Sequence, residues 1–455
     1  AKSGTADFYN GVATQSVRLD GTAGYLSKTP SSAGNRRTFT ISTWIKRSKI
    51  SGTQDIFIAG SNASGQVSFQ VSFTGDYLQV YATVAGSGAN IYVRTNRLFR
   101  DTSAFYHIVV AIDTTQGTDS NRVKVYINGV QETSLQNAVY PSQNYDTACN
   151  NTVSSSIGRF SVAVANFQGA YLADYNVVDG LALAHTNFGE TKNGVWIPKE
   201  PDVSEYGTNG FRLQFAQVGV GTASTSTIGA DTSGKTNHWT SNGIVASDCA
   251  MPDSPENNFA TGLGAGLSES TNDQSYIAAT WSEGNLKMTP SSAAWNNGMS
   301  NFGMTSGKWY AEAKVVNIGP SGTYTRFGMR ASPIRTYDEY FWLAGGNGQI
   351  DAATSPYSAR VGTYANGNVL QIALDLENNA LYFGKNGTWE NSATTSEIAA
   401  GTVTNAFASG TTLIPTGDGF TYFFYFNMHP HGTAPIHIWN FGQDPSFAGE
   451  ITAGT

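Results

Sequence analysis

Two pairs of neighbouring carboxylates come closest, in this sequence, to a catalytic arrangement. Glycoside hydrolases hold two carboxylates roughly 5–10 Å apart across one sugar, and residues two apart on a strand point to the same face. Asp375-Leu-Glu377 has that spacing, whereas Asp338 and Glu339 are adjacent. The first pair comes at the end of a predicted strand, just before Asn378-Asn379, where solvated turn acids are common. We therefore predict that the chain has no catalytic residues and is not an enzyme, and we keep a glycan depolymerase as an alternative.

Histidine and oxygen-bearing side chains offer two places for a metal ion. His429-Pro-His431, with His437 close in sequence, can point two imidazoles in one direction on an extended segment. In the first half, four residues supply the oxygen ligands that calcium prefers: Asp113, Asp119, Asn121 and Asp174. No liganding motif fixes either set. We predict no obligatory cofactor, and calcium is the metal that we expect if the first domain binds one.

Three predicted loops combine tyrosines with amide or acidic side chains. Sugar-binding sites use this combination, because an aromatic ring stacks on a pyranose while polar groups bind its hydroxyls. The residues that we predict to bind a ligand are Tyr140, Asn144, Tyr145, Tyr337, Asp338, Tyr340 and Tyr357. Tyrosine is frequent along the whole chain, so each loop also has a purely structural interpretation.

Strands of alternating pattern must position these loops. Residues 39–46, Phe-Thr-Ile-Ser-Thr-Trp-Ile-Lys, place the odd-numbered side chains on one face and Trp44 on the other. Asn128-Gly129 and Asn386-Gly387 each follow an apolar strand. Both pairs predict tight hairpins, because Asn-Gly accepts the positive φ angles that a two-residue turn requires.

The same patterns predict an all-β protein of two antiparallel β-sandwiches. We place the first sandwich in residues 1–200 and the second in residues 276–455, and we see no amphipathic helix longer than a turn or two. Residues 201–275 read as an irregular connector with short strands. Four aromatic residues make this connector too apolar for a free linker: Phe211, Phe215, Trp239 and Phe259.

Composition excludes several classes of function. The chain has 455 residues, of which 13% are charged, and its net charge is −7 without any run of Lys or Arg. We therefore predict no nucleic-acid partner. No apolar run approaches the roughly 20 residues that a membrane helix needs, so we predict no membrane insertion. The two cysteines, Cys149 and Cys249, cannot form a disulfide scaffold, although a single bridge stays open, and they indicate assembly in a reducing cytoplasm.

Several phrases resemble known domain families. Three stretches of the first half resemble a laminin-G/concanavalin A-like jelly roll: Thr-Ile-Ser-Thr-Trp-Ile at 40–45, Tyr-His-Ile-Val-Val-Ala-Ile-Asp at 106–113 and Val-Lys-Val-Tyr-Ile-Asn-Gly at 123–129. In the second half, Gly-Lys-Trp-Tyr-Ala-Glu-Ala-Lys-Val at 307–315 and Ala-Leu-Tyr-Phe-Gly-Lys-Asn-Gly-Thr-Trp at 380–389 resemble a SPRY (B30.2-like) domain. The resemblance implies a jelly roll followed by a SPRY-like sandwich.

A narrower resemblance extends over nearly the whole chain. Four stretches are similar to laminin-G-like virion proteins of tailed, often marine, bacteriophages. They are residues 29–48, Asn-Phe-Gly-Glu-Thr-Lys-Asn-Gly-Val-Trp-Ile-Pro at 187–198, Tyr-Gly-Thr-Asn-Gly-Phe-Arg-Leu-Gln-Phe at 206–215 and the late Asn-Phe-Gly-Gln at 440–443. This resemblance implies a non-enzymatic structural protein, assembled in the host cytoplasm and exposed on the particle surface.

The function that we expect from it is a tail-fibre or appendage subunit that binds host-surface polysaccharide through sandwich loops. Its other partners would be virion proteins, and we expect a homo-oligomer, with a trimer as the form common in such appendages. The alternative is a capsid or tail decoration protein that contacts only other virion subunits.

Overall fold

The computed structural model describes residues 8–50, 52–61, 67–84, 88–160, 165–263, 269–271, 274–319, 325–332, 339–343, 350–352, 363–410, 414, 416, 419–430 and 433–452. The chain divides into two compact units, Ala1–Asn258 and Phe259–Thr455. Both consist of facing, largely antiparallel sheets, which confirms the predicted all-β class.

The first unit contains two large sheets and one separate hairpin. Its strands are β1 (Val17–Asp20), β2 (Tyr25–Lys28), β3 (Thr38–Arg47), β4 (Thr53–Gly60), β5 (Val67–Thr74), β6 (Tyr77–Val84), β7 (Ala89–Leu98), β8 (Tyr106–Asp113), β9 (Val123–Ile127), β10 (Val130–Gln131), β11 (Leu135–Val139), β12 (Ser155–Ile157), β13 (Gly169–Asp179), β14 (Gly189–Lys192), β15 (Val195–Pro198), β16 (Phe211–Leu213) and β17 (Thr240–Asn242). The front sheet has the order β1-β13-β3-β8-β9-β10, with β16 beside β13, and the back sheet has the order β11-β7-β6-β5-β4-β12-β2-β17.

Strand β3 shows why this unit forms a sandwich. Its odd-numbered apolar side chains, Phe39, Ile41 and Ile45, enter the core between the sheets, while Trp44 packs in a small cluster on the opposite face. This is the alternation that the sequence predicted. The predicted hairpin at Asn128-Gly129 is confirmed as well, because it joins β9 to β10 with φ angles of 48° and 79° at these two residues.

Residues 201–258 are part of the first unit, so the structure divides the chain at 258/259 and does not separate 201–275 as a connector. Strand β16 pairs with β13, and β17 pairs with β2. Buried ion pairs attach the end of this segment to the front sheet. Asp248 lies 2.9 Å from the Arg18 guanidinium, and Asp253 lies 2.9 Å from Nζ of Lys46. The two carboxylates neutralise these buried cations.

The second unit is another sandwich with one short helix. Its elements are β18 (Glu269–Thr271), β19 (Gln274–Ala278), β20 (Thr280–Ser282), β21 (Lys287–Thr289), β22 (Trp295–Met299), β23 (Lys308–Asn317), β24 (Thr325–Ser332), β25 (Glu339–Leu343), β26 (Ile350–Ala352), β27 (Val369–Asp375), β28 (Ala380–Lys385), β29 (Thr388–Trp389), α1 (Thr395–Ala400), β30 (Ala408–Ser409), β31 (Thr421–Met428) and β32 (Ile436–Asn440). One sheet has the order β18-β19-β22-β31-β24-β25-β26 and the other β20-β21-β32-β23-β27-β28-β29, with β30 beside β28.

The core of the second unit follows from the same alternation. On β23, Ala311, Ala313 and Val315 are completely buried and face the interior. Phe327 and Trp439 approach them from β24 and β32, and their rings lie 5.6 Å apart. The predicted Asn386-Gly387 turn closes the β28–β29 hairpin. Beside it, residues 388–410 cover part of the outer face of the sheet and form a smaller apolar cluster there.

The structure also bears on two expectations from the sequence, one about the cysteines and one about membrane helices. Cys149 and Cys249 are separate, buried thiols, so the bridge that the sequence left open is not formed. Within the described ranges, no helix has the length and apolar character needed to cross a membrane.

Candidate functional site

An open cleft of about 460 Å³ lies on the outer face of the second unit. We call it the aromatic cleft. The residues that line it are Lys308, Trp309, Tyr310, Gln371, Ala373, Leu374, Asp375, Gly387, Trp389, Thr395, Ile398 and Ala399. They come from β23, β27, the β28–β29 hairpin and α1, so four parts of the fold converge on it.

Strand register forms the floor of the aromatic cleft. Tyr310 on β23 lies directly opposite Ala373 on β27, and Lys308 lies opposite Asp375. Alternation turns these four side chains to the outer face of the sheet. Because Ala373 is small, the space beside the Tyr310 ring is left open.

The far wall consists of Trp389 and the helix α1. The indole N–H of Trp389 donates a 3.2 Å hydrogen bond to the Thr395 hydroxyl, which ties the ring to the first turn of the helix. The helix begins with a capping box in which Thr394 and Glu397 exchange hydrogen bonds. It ends at Gly401, with φ of 77°. Both ends of this short helix are thus fixed by local sequence.

A chain of hydrogen bonds holds the polar side of the aromatic cleft. The Tyr310 hydroxyl donates to Glu312 over 2.5 Å and accepts from Nε2 of Gln371 over 2.8 Å. The Gln371 carbonyl oxygen accepts a 2.7 Å bond from the backbone N–H of Gly387. Burial, and next the bond to Glu312, raise the pKa of Tyr310 far above its ordinary value, so the phenol stays neutral. The amide and the phenol are held in place before any ligand arrives.

Asp375 closes one end of the aromatic cleft but is not arranged for catalysis. Its Oδ1 accepts from the backbone N–H groups of Glu377 and Asn378, each over 3.0 Å, and Lys308 lies 3.5 Å from its Oδ2. Glu377 is exposed and does not line the cleft. Among the lining residues Asp375 is the one carboxylate, whereas glycoside cleavage needs two. This geometry agrees with the interpretation of the pair as part of a turn.

The tyrosine-rich loop predicted in the first unit serves the fold in this structure. Tyr140 and Tyr145 pack partly buried against the core, and burial raises the pKa of both phenols. The backbone N–H of Asn144 donates a 2.8 Å bond to Thr114, which braces the loop between β8 and β9. The three residues do not line either of the described cavities.

The other predicted ligand-binding residues lie in the second unit. Tyr337, Asp338 and Tyr357 fall outside the described residues, as does His431 of the predicted metal pair. Tyr340 lies on β25, and only its backbone is described. These assignments stay predictions.

The predicted calcium ligands are only partly brought together. Asp113 and Asn121 line a smaller pocket of the first unit, but Asp119 does not. Asp174 is buried in β13 and bonded to Arg212 over 2.8 Å, so its carboxylate is unavailable. The donors do not fit calcium well, because Asp113 already accepts from Thr115 and Gln116 and the ammonium-bearing Lys124 lines the same pocket. In the described part of the chain, no three His, Cys, Asp or Glu side chains form a metal-sized group.

The two described histidines of the predicted metal cluster have different environments. His437 is completely buried against Phe426, and burial lowers its pKa to about 3. It therefore cannot join a surface site. His429 lies edge-on to Trp295, with ring centroids 5.4 Å apart.

Sequence reasoning missed the aromatic cleft for a specific reason. The segment 307–315 was correctly interpreted as a strand, but Trp309 and Tyr310 were not among the residues predicted to bind a ligand. They are 37% and 45% exposed. The available signal was the charged Lys308 and Glu312 two residues on either side of Tyr310, which places Tyr310 on the polar face of the strand.

Comparison with known proteins agrees with the fold of the first unit. Residues 20–183 match the family model described as the concanavalin A-like lectin/glucanases superfamily. No curated protein matches the chain at a significant level.

Several solved structures are similar to part of the chain. The SPRY domain of human HERC1 is 16% identical, covering 35% of this chain and 89% of that one, with a TM-score of 0.27. A putative carbohydrate-binding protein of Bacteroides ovatus is 16% identical over 51% of this chain and 59% of that one, with a TM-score of 0.33. Domain 4 of the arabinanase AbnA of Geobacillus stearothermophilus, solved with arabinotriose, is 17% identical over 37% and 72%, with a TM-score of 0.27. Because these identities and TM-scores are low, no ligand or activity of these proteins can be assigned to this chain. The protein is thus an all-β chain whose first unit has a concanavalin A-like lectin fold.

Proposed function

We propose that this protein binds glycans without cleaving them, and that the aromatic cleft is its binding site. The observation that carries the proposal is the exposed ring of Tyr310, which lies next to the fixed amide of Gln371 and the indole of Trp389. Pyranose rings stack on aromatic faces while amides and carboxylates bind the hydroxyls. The lone carboxylate among the lining residues, Asp375, is engaged by its own turn and by Lys308, and it has no second acid beside it with which to cleave a glycosidic bond.

For the biological setting we propose a bacteriophage appendage subunit that meets host-surface polysaccharide. The support is the series of phrases from 29–48 to 440–443, which resemble phage virion proteins; the comparisons with known proteins are silent on this origin. In such an appendage the chain would assemble as a homo-oligomer, with a trimer as the expected form, and would contact other virion proteins.

A virion decoration protein is the second candidate, and one observation favours it. Trp309 and Tyr310 belong to a sheet strand and not to a loop at the end of the sandwich. An exposed aromatic sheet face is also what a protein neighbour can cover. The concave shape of the site, with Trp389 and α1 as a wall, is better suited to a chain of sugars.

The test is binding of the purified full chain to an array of bacterial polysaccharides, followed by titration of the best ligand. We expect Tyr310→Ala to weaken binding about tenfold, since an aromatic contact contributes on the order of 1 kcal/mol beyond its buried area. The control is Val218→Ala, which removes an exposed apolar side chain of the first unit. It should bind like the wild type.

Two other results would contradict the proposal. If the folded wild type bound no polysaccharide but was incorporated into particles through its second unit, the chain would be a decoration protein. If it released reducing sugar from a bound polysaccharide, and Asp375→Ala abolished the release, it would be a depolymerase.

A further inference from the structure

The first unit has a pocket of its own, of about 290 Å³, which we call the first-unit pocket. Its lining residues are Ala111, Asp113, Gln116, Asn121, Lys124, Tyr126, Ala182, Leu183 and Ala184. It lies in a different unit from the aromatic cleft and shares no residue with it. The predicted calcium residues Asp113 and Asn121 both belong to it, so the sequence indicated the place but not the chemistry.

The outer face of the front sheet forms the floor of the first-unit pocket. Lys124 on β9 lies directly opposite Ala111 on β8, and Tyr126 lies two residues further along the same face. Because Ala111 is small, the side chains of Lys124 and Tyr126 border open space. The Tyr126 ring is supported from the other side by His185, whose centroid is 4.7 Å away.

One wall is a backbone segment fixed to the sheet. The Thr40 hydroxyl donates to the carbonyl of Leu181 and accepts from the N–H of Leu183, each over 2.7 Å. Both bonds come from one side chain of β3, so residues 182–184 are held across the face of the sheet. The wall is thus formed without a ligand and offers an apolar surface from Leu183.

The polar end of the pocket is also preformed. Asp113 accepts from the Thr115 hydroxyl over 2.6 Å and from Gln116 Nε2 over 2.5 Å. Burial tends to raise the pKa of Asp113, but these hydrogen bonds together outweigh it, so the net pKa lies below the ordinary value. Asp113 therefore carries a negative charge at neutral pH. The loop that bears Gln116 is braced by Gln143, which donates to the Thr115 carbonyl over 2.9 Å.

Lys124 and Asp113 give the first-unit pocket charges of opposite sign that do not neutralise each other. Neither residue takes part in an ion pair among the described side chains, and Lys124, Tyr126 and Asn121 have no side-chain hydrogen bond there. The pocket thus presents a carboxylate acceptor, an ammonium donor and a phenol within one small volume. The ammonium opposes the binding of a divalent cation by like-charge repulsion.

We propose that the first-unit pocket binds one unit of a neutral sugar without calcium. One hydroxyl of a vicinal diol donates to Asp113 while its neighbour accepts from Lys124, and an apolar face of the sugar packs on Leu183. A neutral ligand suits the pocket because Asp113 would repel an anionic ligand and Lys124 would repel a cationic one. This proposal and the proposed function concern the same class of ligand but different residues, so an experiment can support one and contradict the other.

The test is saturation-transfer NMR and calorimetry of the full chain with methyl glycosides of glucose, galactose, mannose and N-acetylglucosamine, each with and without EDTA. For at least one glycoside we expect saturable binding that EDTA does not change. Lys124→Met should weaken it about tenfold or more, since a charged donor is lost, and deoxy analogues that lack one hydroxyl of the diol should bind correspondingly worse. Lys287→Met, the same substitution at a lysine of the second unit, should bind like the wild type.

Further variants separate the two sites. Tyr126→Phe retains the ring and its contact with His185, so a weaker binding by this folded variant would show that the hydroxyl touches the sugar. Glycoside binding that Tyr310→Ala abolishes and Lys124→Met does not would belong to the aromatic cleft and would overturn the proposal. The proposal is overturned if none of the glycosides binds saturably, if EDTA abolishes binding, or if Lys124→Met binds as tightly as the wild type.

Discussion

Tyr310 and Trp389 contact each other edge to face across the aromatic cleft, with ring centroids 6.2 Å apart and planes inclined by 63°. Tyr310 stands on a central strand of the sheet, whereas Trp389 follows the tight turn that closes β28 onto β29. Each ring limits the movement of the other, so the exposed face of Tyr310 is presented in one orientation. A rigid aromatic surface loses little conformational entropy when a ligand binds.

This arrangement makes Gln371 a positioning residue for the aromatic cleft. In Gln371→Ala the Tyr310 hydroxyl loses its donor and the N–H of Gly387 loses its acceptor. We expect glycan affinity to fall about threefold to tenfold, since each neutral hydrogen bond contributes about 1 kcal/mol. Calorimetric titration with the best polysaccharide measures the change.

The matched variants of this prediction are Gln371→Glu and Gln136→Ala. Glutamate keeps an acceptor for Gly387 but no donor for Tyr310, so it should show an intermediate loss if both bonds matter. Gln136 is exposed on β11 of the first unit, and its replacement should have no effect. Wild-type affinity in Gln371→Ala would mean that Tyr310 is positioned by the strand alone.

The buried pair of Lys46 and Asp253 supports a prediction about stability. Their side chains are 1% and 0% exposed, and burial lowers the pKa of Lys46 while Asp253 opposes that effect. Lys46→Met leaves the carboxylate buried without its cation, which costs roughly 3–5 kcal/mol. We expect the calorimetric transition of the first unit to fall by about 10 °C. In the double variant Lys46→Met/Asp253→Leu, most of the loss should be recovered, and an equal loss in both variants would show that packing and not charge is responsible.

The strands and hairpins could be predicted from the sequence because their signals are local. Alternation identified β3, and Asn-Gly identified the turns at 128–129 and 386–387. The boundary of the first unit could not be predicted in this way. Asp248 and Asp253 look like ordinary loop acids, and only the tertiary fold brings them to Arg18 and Lys46.

The sites were predicted less well than the fold, for a related reason. A cleft depends on which strands are neighbours and in which register, as with Tyr310 opposite Ala373. Composition drew attention to loops with many tyrosines, yet Tyr140 and Tyr145 pack against the core. Asp113 and Asn121 were predicted as possible ligands because oxygen-bearing side chains at strand ends are a local signal. Lys124, which lines the same pocket from the neighbouring strand, was not predicted.

The ring of Trp196 packs against Gly129 and provides a clean test of a close contact. A Cβ atom on Gly129 would come within 2.4 Å of the indole ring, and Gly129 has φ of 79°. Gly194 has nearly the same φ, 81°, but nothing within 4 Å of its Cβ position. We expect Gly194→Ala to cost on the order of 1 kcal/mol from backbone strain alone, and Gly129→Ala to cost clearly more because the ring must also move. Thermal unfolding of both variants gives the difference, and equal losses would refute the contact.

His437 predicts an acid sensitivity that one substitution should remove. Burial lowers its pKa from the ordinary 6.5 to about 3, and neither ring nitrogen has a hydrogen-bond partner among the described residues. Its neutral form is therefore the one compatible with the fold. The corresponding stability is present above pH 6.5 and is lost as the pH falls towards 3, by at most about 5 kcal/mol.

We therefore expect His437→Leu to be as stable as the wild type or more stable at pH 7, and to lose less stability than the wild type between pH 6.5 and 3. His107 is the informative contrast, because it is equally buried but bonded to Ser42 and Trp196, both over 2.9 Å. His107→Leu should destabilise the first unit at pH 7, since both partners lose a hydrogen bond inside the protein. Because burial also lowers the pKa of His107 to about 3, this deficit should shrink as the pH falls from 6.5 towards 3. Calorimetric scans of the two variants across this pH range measure both effects. A steep acid transition that persists in His437→Leu would assign the sensitivity of the second unit to other groups.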